Sequence, residues 1–383
     1  MEKQQKIALS LLILVVLIVV VAALEFMDQW KHDVIIPGPG VTKTATLSDY
    51  FPELKGEYCD TTIYFLESDQ PGGTVFILGG THPNEPASML SAVLLIENLV
   101  VTQGRIIIIP QANLSGFSHN DPQEASPRKL HFETPYGVRE FRYGSRATNP
   151  IHQWPDPDIY INQFGQSLSG SETRNLNRGY PGDPAGNYTE KVCYGIMEVI
   201  RQEECDLSID LHEASPEYPV INAIVAHDRA IDLASMAVLD LQLENLNYNL
   251  EISPPSFRGL THREWGDYSD TLAILMETAN ASQGRIRGRT DEALVLTGKD
   301  KMYVKAAELG KLYVPYDENG HPIEERVGRH LTAIRVLINN LNLLFPDRVV
   351  EYHGIPDYQE LLANGYGSYL SPSPSPLPSQ GED

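Results

Sequence analysis

The chain has 383 residues, 42% hydrophobic and 21% charged, the balance of a globular protein with room for one large or two ordinary domains. Its formal net charge of −22 argues against nucleic acid and anionic lipid as partners, because the phosphate attraction has the wrong sign. Three cysteines, Cys59, Cys193 and Cys205, show neither CxxC spacing nor a paired framework and read as buried thiols.

At the amino terminus Lys3 and Lys6 precede an uncharged run from Ile7 to Leu24. A helix of that length spans about 27 Å, close to the hydrocarbon thickness of a bilayer. Residues 1–28 therefore read as a membrane anchor, with the lysines cytoplasmic and the rest of the chain sent outward. Val21-Ala22-Ala23 is a tolerable cleavage site, so a secreted form is the alternative. Residues 29–47, centred on Pro37-Gly38-Pro39-Gly40, read as a linker. Residues 48–350 read as one folded domain and 351–383 as a tail, with Ser371 to Pro376 disordered by composition.

Within the domain, Thr61 to Leu66 reads as a strand and Gly72-Gly73 as a turn. Val75 to Leu78, Ala87 to Leu99 and Arg105 to Pro110 form a strand–helix–strand unit, which implies parallel pairing and an α/β fold. Asn113 to Tyr188 is rich in Gly, Pro, Asn, Ser and aromatic residues with little periodicity; so long a stretch inside a compact domain is usually functional. Helical spacing resumes over Glu190 to Gln202. Leu207 to Leu211 and Val220 to Val225 read as strands, Ala230 to Leu243 as a helix, and Leu272 to Met276 as an apolar strand running into Glu277. Residues 284–311 are mixed, and Ile323 to Leu344 is a long amphipathic helix with Leu331, Ile334, Leu337, Leu341 and Leu344 on one face.

The chemistry gathers at strand ends. In GGTHPNEP, His82 and Glu85 follow the apolar run Thr74 to Leu78, and His212 follows the strand that begins at Leu207. Two imidazoles and a carboxylate with an open fourth position make a catalytic zinc site, one ion per chain. Such a site needs a base to take a proton from water and return it to a leaving nitrogen, and Glu277 is the candidate. A cationic group must hold an anionic substrate or the developing oxyanion. Asn177 and Arg178 are candidates for the substrate carboxylate, because Arg offers a planar fork and Asn an amide donor. For the oxyanion, Arg174 is taken, with Arg146 as the alternative.

His82-x-x-Glu85, Asn177-Arg178, Asp210-Leu211-His212 and Glu277 occur in the order of zinc carboxypeptidases of the M14 type. GGTHPNEP, NLNRGYPG and DLHE most resemble the succinylglutamate desuccinylase/aspartoacylase branch, over roughly Thr61 to Gly284. The resemblance implies a mixed, mostly parallel sheet with helices on both faces. It also implies zinc on His82, Glu85 and His212, Glu277 as base, and Asn177 with Arg178 on a substrate carboxylate. Pro83 stands where that branch usually has Gly, and Asn175 where Asp usually begins the DLNR motif. A long helix and a Pro/Ser tail replace the small β-rich C-terminal domain of the aspartoacylase arm. The expected activity is hydrolysis of an amide bond in an N-acyl amino acid or peptide with a free carboxylate. A metallocarboxypeptidase acting on peptides or cell-wall fragments, or a non-catalytic zinc-binding relative, is the alternative.

Overall fold

The computed structural model describes residues 3–121, 124 and 126–373. Helix α1, Lys3–Asp28, buries none of its residues and is long and apolar enough to cross a membrane. The segment 29–47, expected as a linker, is packed instead. Gln29 is buried, and both oxygens of Asp33 accept from Arg142, from its backbone N–H at 2.7 Å and from Nε at 2.9 Å. The Pro-Gly turn lies so close to the next layer that a Cβ on Gly38 would sit 2.2 Å from the Glu97 carbonyl oxygen. Strand β1, Lys43–Thr46, then pairs antiparallel with β2, Thr62–Glu67.

Next come β3 (Thr74–Leu78), α2 (Pro86–Asn98), β4 (Val100–Gln103) and β5 (Arg105–Ile109), with β3 and β5 parallel. The stretch expected to lack periodicity holds two hairpins, β6 (Lys129–Thr134) with β7 (Gly137–Arg142), and β8 (Ile159–Ile161) with β9 (Ser167–Ser169). Their strands are short and partly exposed, so no long apolar alternation announces them. A single helical turn, α3 (Leu176–Gly179), precedes α4 (Tyr188–Gln202), whose start is fixed by a capping box between Asn187 and Glu190.

The remaining elements are β10 (Leu207–Ala214), β11 (Ala223–Ala226), α5 (Ile231–Leu243), β12 (Asn249–Ile252), α6 (Thr261–Tyr268), β13 (Leu272–Ala279), α7 (Glu292–Thr297), α8 (Lys301–Glu308), α9 (Ile323–Leu344), β14 (Glu351–His353) and α10 (Tyr358–Asn364). Residues 351–370, expected as a tail, are packed: β14 pairs with β4, and the Tyr366 hydroxyl donates to the Leu90 carbonyl at 3.0 Å. The disorder expected from Ser371 to Pro376 falls from residue 374 onward outside the described residues.

Eight strands form one mixed sheet in the order β1-β2-β5-β3-β10-β13-β11-β12, parallel through its centre from β5 to β13. The central strands are apolar runs because both faces are covered. Val75, Ile77, Ile106, Ile108 and Ile209 enter the core under α2, α5 and α9. Phe76, Leu78, Ile107 and Ile109 enter the core under α4. β3 and β10 stay paired only as far as Leu78 and Asp210; past that point β10 continues against β13 alone. The crevice where β3 leaves the sheet holds the site.

Candidate active site

His82 and Glu85 lie in the turn between β3 and α2. The backbone leaves β3 through Gly80, whose φ is +67° and where a Cβ would meet the Pro110 carbonyl oxygen at 2.8 Å. The Glu85 N–H then donates to the His82 carbonyl at 2.9 Å, closing a turn that puts both side chains on one side. His212 projects from β10, two residues beyond Asp210 and therefore on the same face of the strand. It lies inside a strand that runs on to Ala214, not at the strand end that the apolar pattern suggested.

These three side chains converge. His82, Glu85 and His212 each bring a ligand atom within 4.8 Å of the others, and all three are buried. His82 Nδ1 lies 2.8 Å from Glu85 Oε1 and His212 Nδ1 2.9 Å from Glu85 Oε2, with ring centroids 4.7 Å apart.

The outer ring nitrogens fix the protons. Asn175 Oδ1 faces His82 Nε2 at 2.9 Å and also accepts the Asn177 N–H at 3.0 Å, while Asn175 Nδ2 donates to Glu172 at 2.7 Å. That atom is therefore an oxygen, and His82 carries its proton on Nε2. Asp210 Oδ2 lies 2.7 Å from His212 Nε2, and Asp210 also accepts the hydroxyls of Thr81 at 2.8 Å and Thr261 at 2.7 Å. His212 thus also holds a proton on Nε2. In the neutral rings both Nδ1 lone pairs then point at an anionic carboxylate, an arrangement that needs positive charge between them. Burial opposes the His212 cation, but Asp210 and Glu85 outweigh burial and hold its pKa well above the ordinary value. Burial likewise opposes the Glu85 carboxylate, but the two imidazoles hold its pKa well below the usual range. His82 moves down, by burial first and the Arg146 charge second. The donor set fits a divalent cation: two imidazole nitrogens and a carboxylate, with both outer nitrogens already hydrogen-bonded.

Glu277 is the neighbour of His212 across the parallel pair of β10 and β13. It too lies within a strand, since β13 continues to Ala279. Its Oε2 is buried with no hydrogen-bond partner. Burial pushes its pKa up to about 8, against the pull of His212 and with the push of Glu85.

Arg174 is not placed for an oxyanion. Its Nε and Nη2 grip both oxygens of Asp156 at 2.7 and 2.9 Å, and its Nη1 donates to the Thr148 carbonyl at 2.7 Å. Those donors are committed within the fold, whereas Arg146 faces the cluster: its Nη1 is 3.6 Å from Glu85 Oε1 and its side chain is partly exposed. Arg178 keeps a partly exposed guanidinium, with Nε 3.4 Å from Glu172 and Nη1 donating to the Asn177 carbonyl at 2.5 Å. Asn177 is buried, and its Oδ1 accepts the Thr261 N–H at 2.9 Å, capping the start of α6. That oxygen is engaged by the fold, and the backbone of Gly259 closes over Arg178.

The sequence reading did not assign Asp210 a role, although the D-x-H spacing on a strand already puts both residues on one face. It also missed Glu213, Arg326 and His330 behind the cluster. Glu213 bonds the Ala87 N–H at 2.9 Å and Arg326 Nη1 at 2.7 Å, and its backbone N–H donates to Glu85 Oε2 at 3.0 Å. These partners are distant in the chain, and no local spacing signals them.

No family model matches the sequence, and comparison with curated proteins finds no match. Solved structures similar in fold include product-bound Cell Shape Determinant protein Csd4 from Helicobacter pylori, at 11% identity and TM-score 0.45, covering 79% of this chain and 59% of that one. A metallo-carboxypeptidase from Burkholderia cenocepacia is similar at 12% identity and TM-score 0.45, covering 80% of this chain and 66% of that one. A succinylglutamate desuccinylase/aspartoacylase from Rhodobacter sphaeroides is similar at 18% identity and TM-score 0.36, covering 57% and 51%. The chain spans about three fifths of the length of the Csd4 structure. The likeness to this group, which includes carboxypeptidases and a desuccinylase/aspartoacylase, is one of fold.

Proposed function

We propose that this chain is a zinc-dependent hydrolase of carbon–nitrogen bonds, acting on an N-acyl amino acid or peptide with a free carboxylate. In this reading α1 anchors it with the catalytic domain outside the cytosol. The observation that carries the reading is the convergence of His82, Glu85 and His212 with both Nδ1 atoms turned inward and both Nε2–H groups held from outside. His82, Glu85 and His212 would hold the ion. When bound, zinc supplies a Lewis acid for water activation and carbonyl polarisation.

The chain's own residues do the rest. Glu277 takes a proton from the attacking water and delivers it to the leaving nitrogen. Its raised pKa suits proton return, and positive charge at the neighbouring cluster draws the carboxyl back toward the base form. Arg146 faces the cluster and stabilises charge developing on the carbonyl oxygen. Arg178 of α3, whose guanidinium is partly exposed, pairs with the substrate carboxylate, and Asn177 holds that turn in place.

The test is zinc content and turnover together. The intact chain should bind one zinc and hydrolyse members of a panel of acyl amino acids and dipeptides, and the panel separates a deacylase from an exopeptidase. Glu277→Gln should keep the zinc and lose about 10²–10⁴-fold in kcat. His212→Ala should lose the zinc. Full activity in the first variant, or unchanged zinc in the second, refutes the assignment.

A further inference from the structure

The end of α1 is not a free stalk. With Ile7 to Leu24 filling about 27 Å of hydrocarbon, Glu25 to Asp28 fall at the headgroup level of one leaflet. Both acids there are met by the folded domain. Arg128 Nη2 reaches Glu25 at 2.5 Å, and Lys129 of β6 reaches Asp28. The Arg128 guanidinium also lies over the Phe26 ring, 5.9 Å from its centroid. One turn later Gln29 is buried and Asp33 is locked to Arg142, which is itself buried. The domain is therefore pinned to the helix within a turn of the hydrocarbon edge.

Apolar side chains continue from the same rim. Trp30 packs on His152 and Tyr58, with ring centroids 6.1 and 6.0 Å away. Beside His152 the loop carries Ile151 and Trp154, exposed by 65% and 68%, while Trp30 is exposed by 41%. Large apolar groups left in water next to an anchoring helix are costly, and Trp is suited to the interface of a bilayer. We propose that the catalytic domain is seated on the membrane surface, with Trp30, Ile151 and Trp154 in the headgroup layer beside α1. The occupant of this rim is the bilayer itself, and the contact is apolar, so the overall negative charge does not oppose it on zwitterionic lipid. Seating follows from α1 spanning the membrane and does not depend on the reaction catalysed. Its consequence is that the domain meets substrates close to the lipid surface in one fixed orientation.

The chain has three tryptophans, and Trp265 is fully buried, so fluorescence isolates the rim. The full chain carrying Trp30→Phe is reconstituted in phosphatidylcholine vesicles with bromine at shallow acyl positions. Trp30→Phe/Trp154→Phe supplies the Trp265 background. The expected result is loss of Trp154 emission to brominated lipid and protection from aqueous iodide. Arg128→Glu/Lys129→Glu, which repels Glu25 and Asp28, should restore iodide access; should that variant not fold, the Trp30→Phe measurement decides alone. Trp154 open to iodide and untouched by brominated lipid overturns the proposal. So does protection that scales with protein density, which marks contact between copies, or a mature chain whose mass lacks α1.

Discussion

Asp210 accepts from His212 Nε2, from the Thr81 hydroxyl and from the Thr261 hydroxyl, and so sets both the tautomer and the aim of one imidazole of the cluster. An amide in its place offers one acceptor oxygen and turns a donor toward groups that are themselves donors. Asp210→Asn should weaken zinc binding about 10–100-fold, measured by competition with a chelating dye, and an unchanged affinity would remove its orienting role. At this scale His82 and Glu85 were legible because a turn makes residues three apart neighbours. Asp210 was legible in principle, because a strand puts alternate residues on one face. The engagement of Arg174 was not legible because its neutralising partner, Asp156, lies 18 residues upstream in a loop with no periodicity.

Helix α9 supports the site from behind through two buried side chains. Arg326 pairs with Glu213, whose carboxyl is raised by burial against the pull of that guanidinium. Arg326→Met leaves the carboxylate buried without its cationic partner, and should cost about 3–5 kcal/mol of stability in urea unfolding. A loss near zero would mean the pair is dispensable. One turn on, His330 is buried with Nε2 3.3 Å from the Thr278 hydroxyl, and burial pushes its pKa down to about 3 from 6.5. A folded value below the unfolded one means stability from this group is complete above pH 6.5 and is lost as pH falls toward 3. His330→Gln should flatten the acid limb of stability against pH in that window; an identical slope would show that His330 is not buried neutral. His262, also held to about 3 by burial, keeps part of the slope in that variant. Elements of this kind divide by length. The amphipathic helix Ile323–Leu344 was read with its observed bounds, because many turns repeat one pattern. β12, β14 and the two hairpins went unread, because strands of three to six residues with exposed side chains carry too few repeats.

Across the whole molecule, the site joins segments that the unfolded chain keeps far apart. An ion bound by His82, Glu85 and His212 therefore binds the folded state alone. Zinc at about 100 times its Kd should stabilise the chain by about 2.7 kcal/mol and raise Tm, and a chelator should reverse the rise. A Tm indifferent to both would remove the site. The sequence by itself determined the apolar N-terminal helix, the buried central strands, the long helix and the residue types able to hold a metal ion, because each depends on neighbours within a turn or a strand. Only the tertiary structure decided which arginine faces the cluster, which nitrogen of each imidazole is turned inward, and that residues 29–47 are a clamp. These depend on pairings between groups tens to more than a hundred residues apart, and a side chain's free donors are known only once its partners have been placed.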